Sequence, residues 1–289
     1  MYEKVNPFHP DKVADRIAGA ITDIAYQYDT PKIATEVLIG HSTAQIIIET
    51  SLTDEQLNST HVLEVMRRIC PGIKPEAINI RIVAQDSHLA ANQQGKIRCG
   101  DNGIFRGMPV TPEQRLLSFL AGDMALAFNA DGKYIVDDSS HRLIICQSRA
   151  KSDEILKVAT ESLRMLDRAD RYDIIINPLG DWDGGTDVDS GATNRKLGSD
   201  MGDAVTGGGL HGKDLSKADV SVNVVCHLLA VESNMKVEAC CAIGDESITF
   251  RFDDGTSRVM PYAEVVEMAR DYIINSELGF EKFAEYGLL

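Results

Sequence analysis

Two short segments, far apart in the chain, carry the side chains best suited to chemistry. His9-Pro10-Asp11-Lys12 stands at the start of a predicted helix, where backbone amides and the positive end of the dipole favour anions. An imidazole, a hard oxygen ligand and a cation within one turn suit a phosphate with its magnesium. The second segment, Gly207 to Lys213, reads GGGLHGK and has the G-x-x-x-x-G-K spacing of a phosphate-binding loop. Asp214 follows, however, where that loop needs Ser or Thr, and no strand is predicted before Gly207. What remains is a glycine turn that presents amides and Lys213 to phosphate, with Lys217 four residues on and Asp219 close by.

The second segment belongs to a longer tract, Asp183 to Asp219, in which nine of 37 residues are Gly and seven are Asp. Its cations are Arg195, Lys196, Lys213 and Lys217. Such a tract buries little apolar area, but its glycines let backbone approach a polyanion closely. The chain as a whole carries net charge −15, from 29 Lys and Arg against 44 Asp and Glu. That balance argues against nucleic acid or an anionic membrane as a partner, so a polyphosphate site must be a local concentration of cations. The N-terminus has no signal-peptide pattern and no run has the length of a membrane span, so a cytoplasmic location is expected. The six cysteines, Cys70, Cys99, Cys146, Cys226, Cys240 and Cys241, show no metal-binding spacing and read as reduced, buried small hydrophobes.

Elements must bring these segments together. Val13, Ile17, Ala20, Ile21 and Ile24 recur at helical spacing over 11–28. Strands are predicted at 33–39 and 45–50, a helix from a capping box at Thr53 and Gln56 to about Ile69, and a strand at 78–84. The same order, helix, strand, strand, helix, strand, recurs at 112–128, 134–136, 143–146, 153–166 and 172–176. It returns a third time with a helix at 215–231, strands at 237–243 and 247–252, and a helix at 261–274. A period near one hundred residues predicts three copies of one α+β unit, each with helices on one sheet face.

Taken jointly, the motifs resemble those of S-adenosylmethionine synthetases. The match runs through His9-Pro10-Asp11-Lys12-x-x-Asp15, Gly100-Asp101-x-Gly103, Asn177-Pro178-x-Gly180, Asp189-x-Gly191-x-Thr193-x-Arg195-Lys196, Gly207-Gly208-Gly209, Gly212-Lys213-Asp214-x-x-Lys217-x-Asp219 and Ala242-Ile243-Gly244. The resemblance implies three interwoven α+β domains with pseudo-threefold symmetry, at about 8–104, 105–183 with the strand 1–7, and 184–289, in a chain shorter than typical members. Their sheets would pack inward and against a second subunit, in a homodimer or dimer of dimers.

The implied reaction joins ATP and L-methionine through attack of sulfur on C5′, then cleaves the triphosphate to pyrophosphate and phosphate. The resemblance makes His9, Arg195 and Lys213 the catalytic groups, and Lys196 a further triphosphate contact. Asp11 and Asp219 would hold Mg²⁺, and Glu36 would associate with K⁺. Asp101, Asp138, Ser140, Asp181, Trp182 and Asp189 would lie on the ATP side, with Gln45, Gln85, Asp189 and Lys217 near methionine. Three positions depart from the family's pattern. Gln45 stands where members have Glu, Asp138-Ser139-Ser140 where they have Asp-x-Lys, and Asp181-Trp182 where they have Arg-Phe. These leave a Mg-dependent triphosphatase, or a non-catalytic ATP-binding regulatory homologue, as alternatives.

Overall fold

The structure is a computed structural model. It describes all residues except 30, 93, 94 and 169, and the backbone alone at 88–90; part of the 86–100 segment, read as a possible gate over the site, thus lies outside the described residues. The chain opens with β1 (Tyr2–Val5) and α1 (Pro10–Ala25), followed by the hairpin β2 (Ile33–Gly40) and β3 (Thr43–Thr50), then α2 (Ser59–Ile69), β4 (Ile78–Ala84) and α3 (Ser87–Asn92). After β5 (Gly103–Gly107) come α4 (Pro112–Phe128), the hairpin β6 (Gly132–Asp137) and β7 (Arg142–Gln147), α5 (Ser152–Met165) and β8 (Asp173–Ile176). The glycine tract contributes β9 (Ser190–Ala192) and α6 (Leu197–Met201). Last are α7 (Ala218–Ser233), β10 (Val237–Cys241), β11 (Ser247–Phe252), β12 (Ser257–Pro261), α8 (Tyr262–Arg270) and α9 (Gly279–Tyr286).

Three four-stranded sheets result, ordered β4-β3-β2-β9, β1-β6-β7-β8 and β12-β11-β10-β5. In the first two, a helix carries the chain back over one sheet face, so β4 runs parallel to β3 and β8 parallel to β7. In the third, the turn around Gly255, at φ +87, makes β12 an antiparallel partner of β11 instead. Each hairpin's first strand also takes an antiparallel neighbour from elsewhere in the chain: β9 beside β2, β1 beside β6 and β5 beside β10. These exchanges close edges that would otherwise expose unpaired amides, and they interweave the three units.

Period-2 alternation sets the sheet faces. Ile46 and Ile48 of β3 are fully buried beneath α1 and α2, where they meet Ile17, Ile21, Val62 and Met66, while Gln45, Ile47 and Glu49 face outward. Two similar cores lie under α4 with α5 and under α7 with α8. A capping box of Thr111 and Gln114 starts α4. The one predicted at Thr53 and Gln56 to start α2 makes only a turn, because Asn58 and His61 form the box that starts that helix. Among the described residues no helix is long and apolar enough to cross a membrane.

Candidate functional site

Helix α1 is held on nearly every side, and its N-terminus points at the glycine tract. His9 is its N-cap, with Nδ1 accepting the Asp11 N–H at 3.2 Å. That bond leaves the ring proton of neutral His9 on Nε2. Burial, then the nearby Lys196 ammonium, lowers the His9 pKa to about 4, so the imidazole is a neutral N–H donor at pH 7.

Asp11 is 1% exposed and collects cations. Its Oδ1 accepts the Ala192 N–H at 2.9 Å and lies 3.5 Å from Arg195 Nε, while Oδ2 is 2.9 Å from Lys196 Nζ. The approach of β9 requires Gly191, since a Cβ there would sit 2.1 Å from the Pro10 carbonyl carbon. Four residues further along α1, Asp15 accepts the Asn194 N–H at 2.7 Å, and Asn194 in turn brackets the backbone of His211. The glycine turn is thereby fixed against the same helix.

Lys213 is held at its backbone by a bridge to Ala34 of β2, and its Nζ reaches Asp219 Oδ2 at 2.5 Å. Gly208 packs against that carboxylate so closely that a Cβ would lie 2.2 Å from Oδ1. Glu36, on the outward face of β2, accepts the Thr193 hydroxyl, and Thr193 pairs with Val37 through both its N–H and its Oγ1. Lys217 caps α7, in whose first turn Asp219 lies. Asp189 precedes β9, and its charge is felt at both His9 and Asp131.

Lys12, read from sequence as a phosphate-facing cation, points the other way. Its fully buried ammonium lies 2.7 Å from Asp200 Oδ2 and 3.1 Å from Asp15 Oδ2, with His211 Nε2 2.9 Å from the same Asp200 oxygen. Asp15, Asp200 and His211 have ligand atoms within 4.8 Å of one another, a spacing that could hold a metal ion. The Lys12 ammonium already sits between the two carboxylates, so the cluster reads as a buried anchor for α1.

Other expected residues are dispersed. Asp138 sits at the far end of β6, bound by Arg171 at 2.6 Å and by Tyr172, and Ser140 donates to Asp137. At about 3.3 Å per residue, that end lies roughly 15 Å from the start of the strand. Asp181 and Trp182 line a shallow groove with Arg149 and Lys151, and the indole N–H donates to Asn177 Oδ1 at 3.2 Å. Asp101 accepts the Asn102 N–H in the turn before β5. Gln45 is exposed on β3, whereas Gln85 Oε1 is buried beside Thr50 and Leu52 without a hydrogen-bond partner among the described residues.

The start of β6 supplies what the sequence reading missed. Asp131-Gly132-Lys133 is an Asp-x-Lys triplet, and it stands at the site. Lys133 acts electrostatically on His9, and Asp131 is coupled to Asp189, Asp11 and Lys196. Burial raises the Asp131 carboxyl to about 7. Its Oδ2 accepts the Gly185 N–H, while Oδ1 is buried without a hydrogen-bond partner.

Asp11 and Asp219 are hard oxygen donors of the kind a divalent cation takes, and each is paired here with a lysine ammonium that such a cation would have to displace.

Comparison with known proteins gives one consistent name. The S-adenosylmethionine synthase of Acholeplasma laidlawii is 29% identical over 282 residues, spanning 79% of this chain and 72% of that one. The S-adenosylmethionine synthase of Salinibacter ruber is 26% identical over 330 residues, spanning 93% and 84%. No family model matches. In fold, the chain is similar to an unusual S-adenosylmethionine synthetase from Campylobacter jejuni, with a TM-score of 0.74 at 19% identity, covering 100% of this chain and 95% of that one. The sequence relatives thus support the assignment of this chain to the S-adenosylmethionine synthase family, and the structural neighbour shows the fold.

Proposed function

We propose that the chain is a methionine adenosyltransferase, which joins the sulfur of L-methionine to C5′ of ATP and then cleaves the released triphosphate to pyrophosphate and phosphate. The observation that carries this reading is the meeting, at one helix N-terminus, of Asp11 with Lys196 at 2.9 Å and Arg195 at 3.5 Å, beside a turn in which Lys213 holds Asp219 at 2.5 Å. A leaving group as charged as triphosphate makes cation placement the main catalytic requirement, and fixed cations act where the charge accumulates.

In this reading Arg195, Lys196 and Lys213 line the triphosphate, and neutral His9 donates Nε2–H to the oxygen that leaves C5′. Lys133 adds a cation on the β6 side, so the Asp-x-Lys pattern, sought at Asp138 to Ser140, is met instead by Asp131 and Lys133. On this reading one of the three departures from the family's pattern falls away. Lys217 and Gln85, at the Ile33 and Thr50 end of the first sheet, would receive methionine, whose polar groups would satisfy the orphan Gln85 Oε1, whereas Asp189 stands at the Gly40 and Ser190 end, roughly 20 Å away along the strands. Asp101, Trp182 and Asp181 are left to the nucleoside side.

Asp11 and Asp219 would hold Mg²⁺ and Glu36 would face K⁺. A bound divalent cation supplies neutralisation of phosphate charge. A homodimer is part of the proposal, because the outward sheet faces carry Leu38 and Ile104 at 54% and 68% exposure. The test is the methionine dependence of ATP consumption in Mg²⁺ and K⁺. Consumption that requires methionine supports transfer, whereas cleavage of added tripolyphosphate with no response to methionine identifies a triphosphatase.

A further inference from the structure

Cys99 and Cys241 lie far apart in sequence, yet their sulfurs are 3.2 Å apart. Cys99 precedes the Gly100-Asp101 turn and Cys241 ends β10. Both sulfurs are within reach of one acceptor, the Asp101 carbonyl, at 3.0 and 3.6 Å. The backbone around Cys99 is fixed to the turn after β10 on both sides, by Cys99 N–H to Asp245 O at 2.9 Å and Gly244 N–H to Cys99 O at 2.8 Å. The two thiols are therefore held in register by the fold. Cys99 is fully buried and Cys241 half-buried, so the pair is open to a small oxidant from one side only.

We propose that Cys99 and Cys241 form a reversible, oxidant-closed disulfide that resets the Asp101 turn. With a peroxide as oxidant, one thiolate attacks a peroxide oxygen and the O–O bond breaks. Hydroxide leaves and is protonated to water, and the sulfur becomes a sulfenic acid. The second thiol's sulfur then attacks that sulfur, the S–OH bond breaks, and a second water leaves with the thiol proton. Two thiols are oxidised by two electrons in all, and one peroxide is reduced to two waters. The contact with Cys241 also draws the Cys99 thiol below its ordinary value and pushes Cys241 up, so the pair gives up its first proton more readily than an isolated buried thiol.

Closure shortens the sulfur separation to about 2.05 Å, and both sulfurs lose the S–H that can donate to the Asp101 carbonyl. The movement has a path into the proposed site. Ser216 O accepts the Gly100 N–H at 3.1 Å and the Tyr262 hydroxyl at 2.8 Å, and Lys217 is the next residue. On the reading of Asp101 and Lys217 as substrate contacts, the oxidised chain binds ATP more weakly.

The test exposes the reduced full chain to stoichiometric hydrogen peroxide, alkylates the remaining thiols and maps peptides by mass. The expected result is a cross-linked peptide joining Cys99 to Cys241, retained in Cys240→Ser, absent in Cys241→Ser and removed by dithiothreitol. Alkylation of both thiols after treatment, or oxidation confined to exposed Cys240, overturns the proposal. Calorimetry on protein with the cross-link verified is expected to show ATP affinity about tenfold weaker and restored on reduction. Unchanged affinity overturns the resetting of the turn. If the reduced chain binds no ATP, the reading of the site fails, while the cross-link is still decided by peptide mass.

Discussion

The Lys196 ammonium lies 2.9 Å from the Asp11 carboxylate, although one residue opens the chain's first helix and the other belongs to a glycine-rich tract in its second half. That contact brings a phosphate-ready cation to a helix N-terminus. Asp11→Asn keeps an acceptor for the Ala192 N–H but removes the charge that holds Lys196 and Arg195. The expected outcome is an intact fold by circular dichroism and a loss of Mg²⁺-dependent turnover of about 100-fold or more.

Lys213→Met should act on the same chemistry from the opposite side. The substitution preserves much of the aliphatic stem and frees Asp219 from its partner. Turnover is expected to fall by about 100-fold, with a rise in KM for ATP and little change in KM for methionine. Steady-state kinetics with each substrate varied in turn checks this.

Lys12→Met probes stability rather than chemistry. It leaves Asp15 and Asp200 fully buried without their ammonium, Asp15 keeping the Asn194 N–H and Asp200 keeping His211. A destabilisation of about 3–5 kcal/mol is expected, as for other buried charges left uncompensated. Urea unfolding measures it, and a change below about 1 kcal/mol would show that the cluster relaxes.

Gly191→Ala tests the close approach of β9 to α1. The new methyl group would meet the Pro10 carbonyl carbon and the Asp11 amide at 2.1 and 2.3 Å, so one of the two elements must move. ATP affinity should drop while helix content is unchanged, as read by calorimetry and circular dichroism.

Two buried groups give opposite pH dependences of stability. Asp131 is raised to about 7 by burial, so the folded chain holds its proton more tightly than the unfolded chain. Its contribution is fully present below the ordinary Asp value near 4 and is lost as pH rises through about 7. His227 is lowered to about 4 by burial, so its contribution is present above the ordinary His value near 6.5 and is lost as pH falls toward 4. In urea melts from pH 4 to 8, Asp131→Asn should flatten the alkaline side and His227→Gln the acid side. Unchanged profiles in both variants would contradict these assignments.

The local elements were legible because apolar periodicity is local. Ile17 and Ile21 mark a helix face, and Ile46 and Ile48 mark the buried side of a strand, whatever surrounds them. The three-residue β9 and the exchange of β5 and β9 between units were not, since pairing partners far along the chain leave no periodic trace. The Asp254-Gly255 turn signal for β12 was present and went unread. Residue type singles out Asp11, Lys12, Lys196 and Lys213 alike, but it does not give direction, and Lys12 turns inward to Asp200. The Asp-x-Lys spacing occurs at Asp131 to Lys133, just ahead of where it was sought, and only the proximity of those residues to His9 and Asp11 distinguishes it.

The central claim concerns a single reaction, and its products test it most directly. Incubation of the protein with ATP, L-methionine, Mg²⁺ and K⁺, followed by mass analysis, should yield S-adenosylmethionine with pyrophosphate and phosphate in equal amounts. Absence of S-adenosylmethionine at protein concentrations where ATP binding is saturated would contradict it.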